Sequence, residues 1–176
     1  MTDLRNGIIC AEGFTLKKGV PGGHAWAPSP ETIDVHGQIL ISANTTLADF
    51  RAAFGERAYT MGTEEILLFT MHFQISGAPF DLIAYFDPSG SLSMLEMIPC
   101  ICYAAPQEDR SGRQEERRIF CDGWLEKQLG TPDRNEGGAK YTFDTVYVGT
   151  LTYFDREHGA DAGQIVILYK KEGAPV

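Results

Sequence analysis

The chain of 176 residues is poor in several things, and each shortage excludes a class of protein. No uninterrupted apolar run approaches the roughly 20 residues that a membrane helix needs. The opening Met1-Thr2-Asp3-Leu4 has neither a charged n-region nor an apolar h-region, so a cytoplasmic protein is expected. Cations are scarce, with 15 Lys and Arg against 24 Asp and Glu for a formal net charge of -9. Nucleic-acid backbones and anionic membrane surfaces call for clustered positive charge, so neither is expected as a partner. Only four cysteines occur, Cys10, Cys100, Cys102 and Cys121, each in or beside an apolar run. Without an export signal, buried reduced thiols are the default expectation. Catalytic signatures are also missing. There is no Gly-x-Ser-x-Gly elbow, phosphate loop, dinucleotide fingerprint or His-Glu-x-x-His, and Gly19 to Gly23 lacks the strand and helix that a phosphate cradle needs.

What remains is a well-stocked core: 43% hydrophobic and 22% charged residues suit a single folded domain of this length. The chain is organised around Glu65 to Cys100. Leu67, Phe69, Met71, Phe73 and Ile75 alternate with Leu68, Thr70, His72 and Gln74, as a half-buried strand requires. Ser76-Gly77-Ala78-Pro79 breaks that run, and Phe80, Leu82, Ala84 and Phe86 resume it. Asp87-Pro88-Ser89-Gly90 is a turn signal. In the third run Leu92 and Met94 share one parity and Leu95 and Met97 the other, which predicts a bulge near Met94. Three sequential antiparallel strands are expected here.

Before this centre, Ile8-Ile9-Cys10 and Phe14-Thr15-Leu16 suit a short hairpin or an edge strand, and 19–31 is a Gly/Pro-rich loop. Gln38 to Ser42 is a short strand candidate. Thr45 to Gly55 reads as a helix, with Thr46 and Asp49 as a capping box and Leu47, Phe50 and Phe54 on one face. After the centre, Ala104 to Gly112 is a polar loop. Ser111 and Gln114 then read as a second capping box, opening a helix that ends near Leu129. Its apolar face holds Phe120, Cys121, Trp124, Leu125 and Leu129, and Gly130-Thr131-Pro132 is its stop. Tyr141 to Phe154 reads as one long strand with Tyr141, Phe143, Tyr147, Leu151 and Tyr153 aligned. Asp155 to Gly163 turns the chain, Gln164 to Tyr169 returns it, and 171–176 is a frayed tail. The expected fold is a single α+β domain over residues 1–176, a central antiparallel sheet with two helices packed on one face.

Chemistry-bearing residues are few. Cys100-x-Cys102 with Cys121 invites a zinc reading, but a second close pair is missing, so no metal and no cofactor are expected. Of the histidines, His24 and His36 fall in the Gly/Pro-rich region and His158 in a hairpin turn. Only His72 stands on a strand, where it is an exposed or hydrogen-bonded side chain or else a catalytic base near a thiol or carboxylate. The aromatic row Tyr141, Phe143, Tyr147 and Tyr153 leaves a ligand-binding cavity open as a further possibility.

One longer pattern remains: Trp124-Leu125, Leu129-Gly130-x-Pro132, Tyr141-x-Phe143, Asp155-Arg156-x-x-Gly159 and Ile165-x-Ile167-x-Tyr169. This layout resembles small bacterial immunity proteins of polymorphic and contact-dependent toxin systems, over the last third to two-fifths of the chain. The resemblance implies a non-catalytic inhibitor that binds and occludes a cognate protein toxin. Charge adds an expectation about how: acidic loops would meet a basic toxin surface. The candidate partner-binding residues are Asp109, Glu115, Glu116, Asp133, Glu136, Asp155, Glu157 and Asp161. A small enzyme or ligand-binding domain is the competing expectation.

Overall fold

A computed structural model of the protein describes residues 8–11, 14–15, 32–35, 39–62, 66–100, 110–133, 137–143, 145–155 and 160–170. Among them, strands β1 (Ile8–Ala11), β2 (Phe14–Thr15), β3 (Thr32–Val35) and β4 (Ile39–Ile41) precede helix α1 (Leu47–Phe54). Strands β5 (Ala58–Thr60), β6 (Ile66–Phe69), β7 (His72–Ile75), β8 (Ala78–Phe86) and β9 (Leu92–Pro99) follow. Helix α2 (Arg110–Leu129) then leads to β10 (Lys140–Thr142), β11 (Val146–Asp155) and β12 (Ala160–Tyr169). The fold is α+β, and its main sheet is larger than the expected one. Nine strands form it, in the order β1-β7-β8-β9-β12-β11-β10, with β6 also pairing with β8 and β5 with β6. A second sheet joins β2, β3 and β4.

The centre of the sheet follows from alternation. Along β8, Ala78, Phe80, Leu82, Ala84 and Phe86 are buried and the residues between them are half-buried, one face sealed and the other not. The expected first strand is two strands, β6 and β7, laid end to end along β8. Leu68 pairs with Ile83 and Phe73 with Phe80, so two extra residues, Thr70 and Met71, intervene. An even-numbered insertion preserves parity, so Leu67, Met71, Phe73 and Ile75 still face inward and are buried. A two-residue turn at Ser76-Gly77, both with positive φ, joins β7 to β8, so Ala78 and Pro79 belong to the strand and not to the break. The bulge expected near Met94 is present: Tyr85 pairs with Met94 and Phe86 with Leu92, leaving Ser93 over.

Both helices bury their apolar stripes on the inner face. Phe50 of α1 packs edge-on against Phe86 (centroids 5.7 Å) and Trp124 of α2 against Phe80 (5.1 Å). Phe80 and Phe86 share parity on β8, so α1 and α2 lie on the same side of it. α1 opens with the expected capping box: Thr46 Oγ1 accepts from the Asp49 amide, and the Asp49 carboxylate accepts from the Thr46 amide. α2 begins at Arg110, one residue before Ser111, so Ser111 lies inside the helix and is not its cap. Tyr141 Oη donates to the carbonyl of Gly130 at 2.8 Å, capping the C-terminal end of α2 from the neighbouring strand.

The long strand expected over Tyr141 to Phe154 is corrected. The chain reverses after Phe143, and β10 pairs antiparallel with β11, Tyr141 opposite Val148. The reversal breaks the aromatic row. Tyr141 and Phe143 are buried on the inner face, Tyr147 turns to the outer face, and Leu151 is exposed there; the side chain of Tyr153 lies outside the described residues. Among the described residues, Tyr147 borders an outer-face dent of about 250 Å³ with Gly149 and Val166. The expected hairpin or edge strand at the start of the chain resolves differently. β1 runs parallel to β7 at the edge of the large sheet, and β2 pairs with β3 in the small one. The loop 19–31 and the tail 171–176 lie outside the described residues. No helix among the described residues is long and apolar enough to cross a membrane.

Candidate functional site

Strand pairing gathers three chemistry-bearing residues on the outer face. Asp81 pairs with Ile98, and the Cys100 amide donates to the Pro79 carbonyl at 3.0 Å, extending that register past the end of β9. Extending the pairing of Phe73 with Phe80 by one residue each way sets His72 opposite Asp81. Alternation points all three away from the sealed core. His72 is exposed, and Asp81 and Cys100 are half-buried.

The side chains meet. His72 Nδ1 lies 2.5 Å from Asp81 Oδ1 and 3.4 Å from Cys100 Sγ. One donor atom from each of the three residues falls within 4.8 Å of the others. The interruption between β6 and β7 opens a hollow of about 420 Å³ alongside, with His72 and Asp81 in its wall and Tyr59, Leu68, Thr70, Ile83 and Ile98 around it. The amide of Thr70 donates to the Arg57 carbonyl at 2.9 Å and ties β6 to the segment before β5. An apolar hollow with convergent polar groups in one wall is the usual form of a small-ligand site. The nitrogen is shared, however. In a thiol–imidazole–carboxylate relay the thiol and the carboxylate meet different ring nitrogens, whereas here both face Nδ1.

Of the three cysteines weighed as zinc ligands, Cys100 and Cys121 are kept apart by the sheet. Cys121 is fully buried on α2 against the inner face, the opposite side of the sheet from Cys100. Burial pushes its thiol up to about 12, with Asp122 adding to the effect, so it stays protonated and is a poor ligand. Cys102 lies outside the described residues, as do His24, His36 and His158.

The acidic residues singled out from the sequence divide into three groups. Asp109, Glu136 and Glu157 lie outside the described residues. Glu115 and Glu116 are exposed on α2, and Glu115 grips Arg118 through both carboxylate oxygens, which holds its carboxyl below the usual range. Asp133 is exposed, and its carboxylate accepts from the Thr142 amide at 2.8 Å, closing the approach to β10. Asp155 ends β11 and Asp161 is the second residue of β12, so their backbones stand together at one end of that hairpin. Asp122 had no role in the sequence reading. It accepts from Arg118 through Oδ2 and from the Ala139 amide through Oδ1, both at 2.8 Å, and joins α2 to the strand after it.

No family model matches the chain, and no curated protein matches it. Among solved structures, a DUF4309 family protein from Bacillus subtilis subsp. subtilis str. 168 is similar at 16% identity, covering 77% of this chain and 84% of that one, with a TM-score of 0.40.

Proposed function

We propose that this protein is a non-catalytic inhibitor of the immunity type, which binds a cognate bacterial toxin domain and occludes it. The observation that carries the reading is the outer face of the large sheet. Half-exposed Ile83, Met94 and Ile98 and exposed Leu168 and Leu151 form an apolar surface interspersed with Asp81 and Glu96, and no described element covers it. A nine-stranded sheet held by two helices from behind is a rigid platform, and rigidity lowers the ordering cost of binding. The net charge of -9 sets the partner's chemistry as cationic, and the resemblance of the C-terminal part to immunity proteins supplies the biological setting. The chain's excess of carboxylates would steer association, while the apolar face would supply the contact. Nothing in this reading asks the chain for a catalytic group.

Co-expression with the product of the adjacent gene tests it. A toxin domain that co-purifies at moderate salt supports the reading, provided that Ile98→Asp on the outer face releases it. Reversing Glu116, Asp155 and Asp161 together should slow association and flatten its salt dependence, while reversing one alone should change little. A neighbour that is no toxin, with nothing retained at moderate salt, overturns the proposal.

The meeting of His72, Asp81 and Cys100 beside a hollow favours a second reading, a small enzyme or ligand-binding domain. Its substrate would be a small molecule entering between Tyr59 and Ile98. A thiol-directed electrophile that modifies Cys100 faster in wild type than in His72→Ala would support it. Equal rates would dismiss imidazole activation of the thiol.

A further inference from the structure

We propose that His72, Asp81 and Cys100 form a binding site for a divalent transition-metal ion of the zinc class, independently of the inhibitor reading above. The donor set is the first reason. An imidazole nitrogen, a carboxylate oxygen and a thiol sulfur together suit zinc and its neighbours, and are poor for calcium or magnesium, which take oxygen alone. The second reason is spacing. Bond lengths of about 2.3 Å to sulfur and about 2.0 to 2.1 Å to nitrogen place those two atoms roughly 3.5 Å apart across a tetrahedral ion. His72 Nδ1 and Cys100 Sγ stand 3.4 Å apart. The carboxylate is closer than an ion would allow. Asp81 Oδ1 lies 2.5 Å from the same nitrogen, and a shared ion sets that edge at about 3.3 Å. Asp81 and His72 are both partly exposed, with side-chain exposures of 30% and 50%, so rotation of the carboxylate away from the ring opens the gap without disturbing the core.

The sharing of Nδ1 is the third reason. An arrangement in which carboxylate and sulfur both face one nitrogen is wrong for a proton relay, but it is the arrangement of three ligands around one point. The backbone fixes it: the three residues come from adjacent strands of one sheet, in registers set by the buried pairs on the other face. Three protein ligands leave a tetrahedral ion one open position. The hollow beside His72 and Asp81 gives that position room for water. Binding requires the Cys100 thiol to lose its proton, so uptake of the ion releases acid and strengthens as pH rises.

Untagged protein mixed with zinc, and separately with cobalt, tests the site. Native mass spectrometry should show one ion per chain, and the cobalt form should show a thiolate-to-cobalt charge-transfer band. Cys100→Ser should abolish the band. His72→Ala and Asp81→Asn should each weaken zinc binding by at least the ~10–100-fold typical of losing a supporting partner. Cys121→Ser, on the opposite face, should leave binding unchanged. Circular dichroism checks that each variant is folded, Cys121→Ser above all because that side chain is in the core. Absence of a bound ion overturns the proposal. So does a band that survives Cys100→Ser, or binding that is lost in Cys102→Ser but unaffected by His72→Ala.

Discussion

On β8, Phe80, Leu82 and Ala84 are sealed while Asp81 and Ile83 between them remain half-exposed, and the same division runs through β9 and the described side chains of β11 and β12. Both faces are built by the same strands, yet the inner one is crossed by aromatic contacts from two helices and the outer one is covered by no described element. The inner face therefore holds most of the stability, and the outer face is where polar groups gather at a lower cost of burial. Val166 shows that the division is one of packing as well as burial. It is almost completely buried, but on the outer side and apart from the main core cluster.

The sharpest way to break this comparison is to remove one large side chain from the inner face. Trp124→Ala deletes the edge-on contact with Phe80 and should cost about 3–5 kcal/mol in chemical denaturation. An effect below about 1 kcal/mol would mean that α2 does not seal that face. Next in size is the cap that anchors α1. Thr46→Ala removes the acceptor for the Asp49 amide and should cost about 1 kcal/mol, with Thr46→Ser restoring most of it.

Alkaline titration compares the two faces through tyrosine. Burial pushes Tyr141, on the inner side, and Tyr85, on the outer side, each up to about 12. Tyr85 is also held by the Glu96 carboxylate, to which its hydroxyl donates at 3.2 Å. Folded values above the unfolded value of 10 mean that the contribution of both to stability is complete below pH 10 and is lost as pH rises from there toward 12. Phenolate absorbance should therefore lag behind that of the unfolded chain. Glu96→Gln should bring Tyr85 down without moving Tyr141.

Glu96 itself has a carboxyl raised by burial, partly offset by its hydrogen bonds with Tyr85 and Gln164. Its ionisation opposes folding, so its contribution is greatest below the ordinary glutamate value of 4.5 and declines as pH climbs through the raised folded value. Glu96→Gln should flatten that acid-side slope, measured by thermal unfolding across the range. The smallest effect is expected at Leu168, exposed on the outer face, where Leu168→Ser should stay within about 0.5 kcal/mol. If toxin binding nonetheless weakens, the surface would be shown to serve a partner and not the fold.

Much of the inner face was legible in the sequence, because its signals are local. The alternation through Phe80 to Phe86, the parity slip at Ser93 and the Thr46–Asp49 box each lie within a few residues and name their own geometry. The reversal after Phe143 was not legible. Tyr141 to Phe154 carries an unbroken β-rich composition, and only the pairing of Tyr141 with Val148 separates one strand from two. His72 was singled out from its strand position, but its particular partners were hidden for the same reason. His72 and Asp81 are nine residues apart and His72 and Cys100 twenty-eight, so no short motif links them.

By itself the sequence determined which segments are strands and helices over most of the chain, which side chains of the central strands face inward, and where α1 begins and α2 ends. These depend on side-chain periodicity and on caps, which act over three or four residues. Tertiary structure alone decided that β1 joins the sheet in parallel, that β10 folds back on β11, that Cys121 and Cys100 lie on opposite sides, and that imidazole, carboxylate and thiol meet at one nitrogen. Those outcomes depend on register between strands distant in the chain, and register is set by how the buried pairs fit one another, a property that no single segment contains.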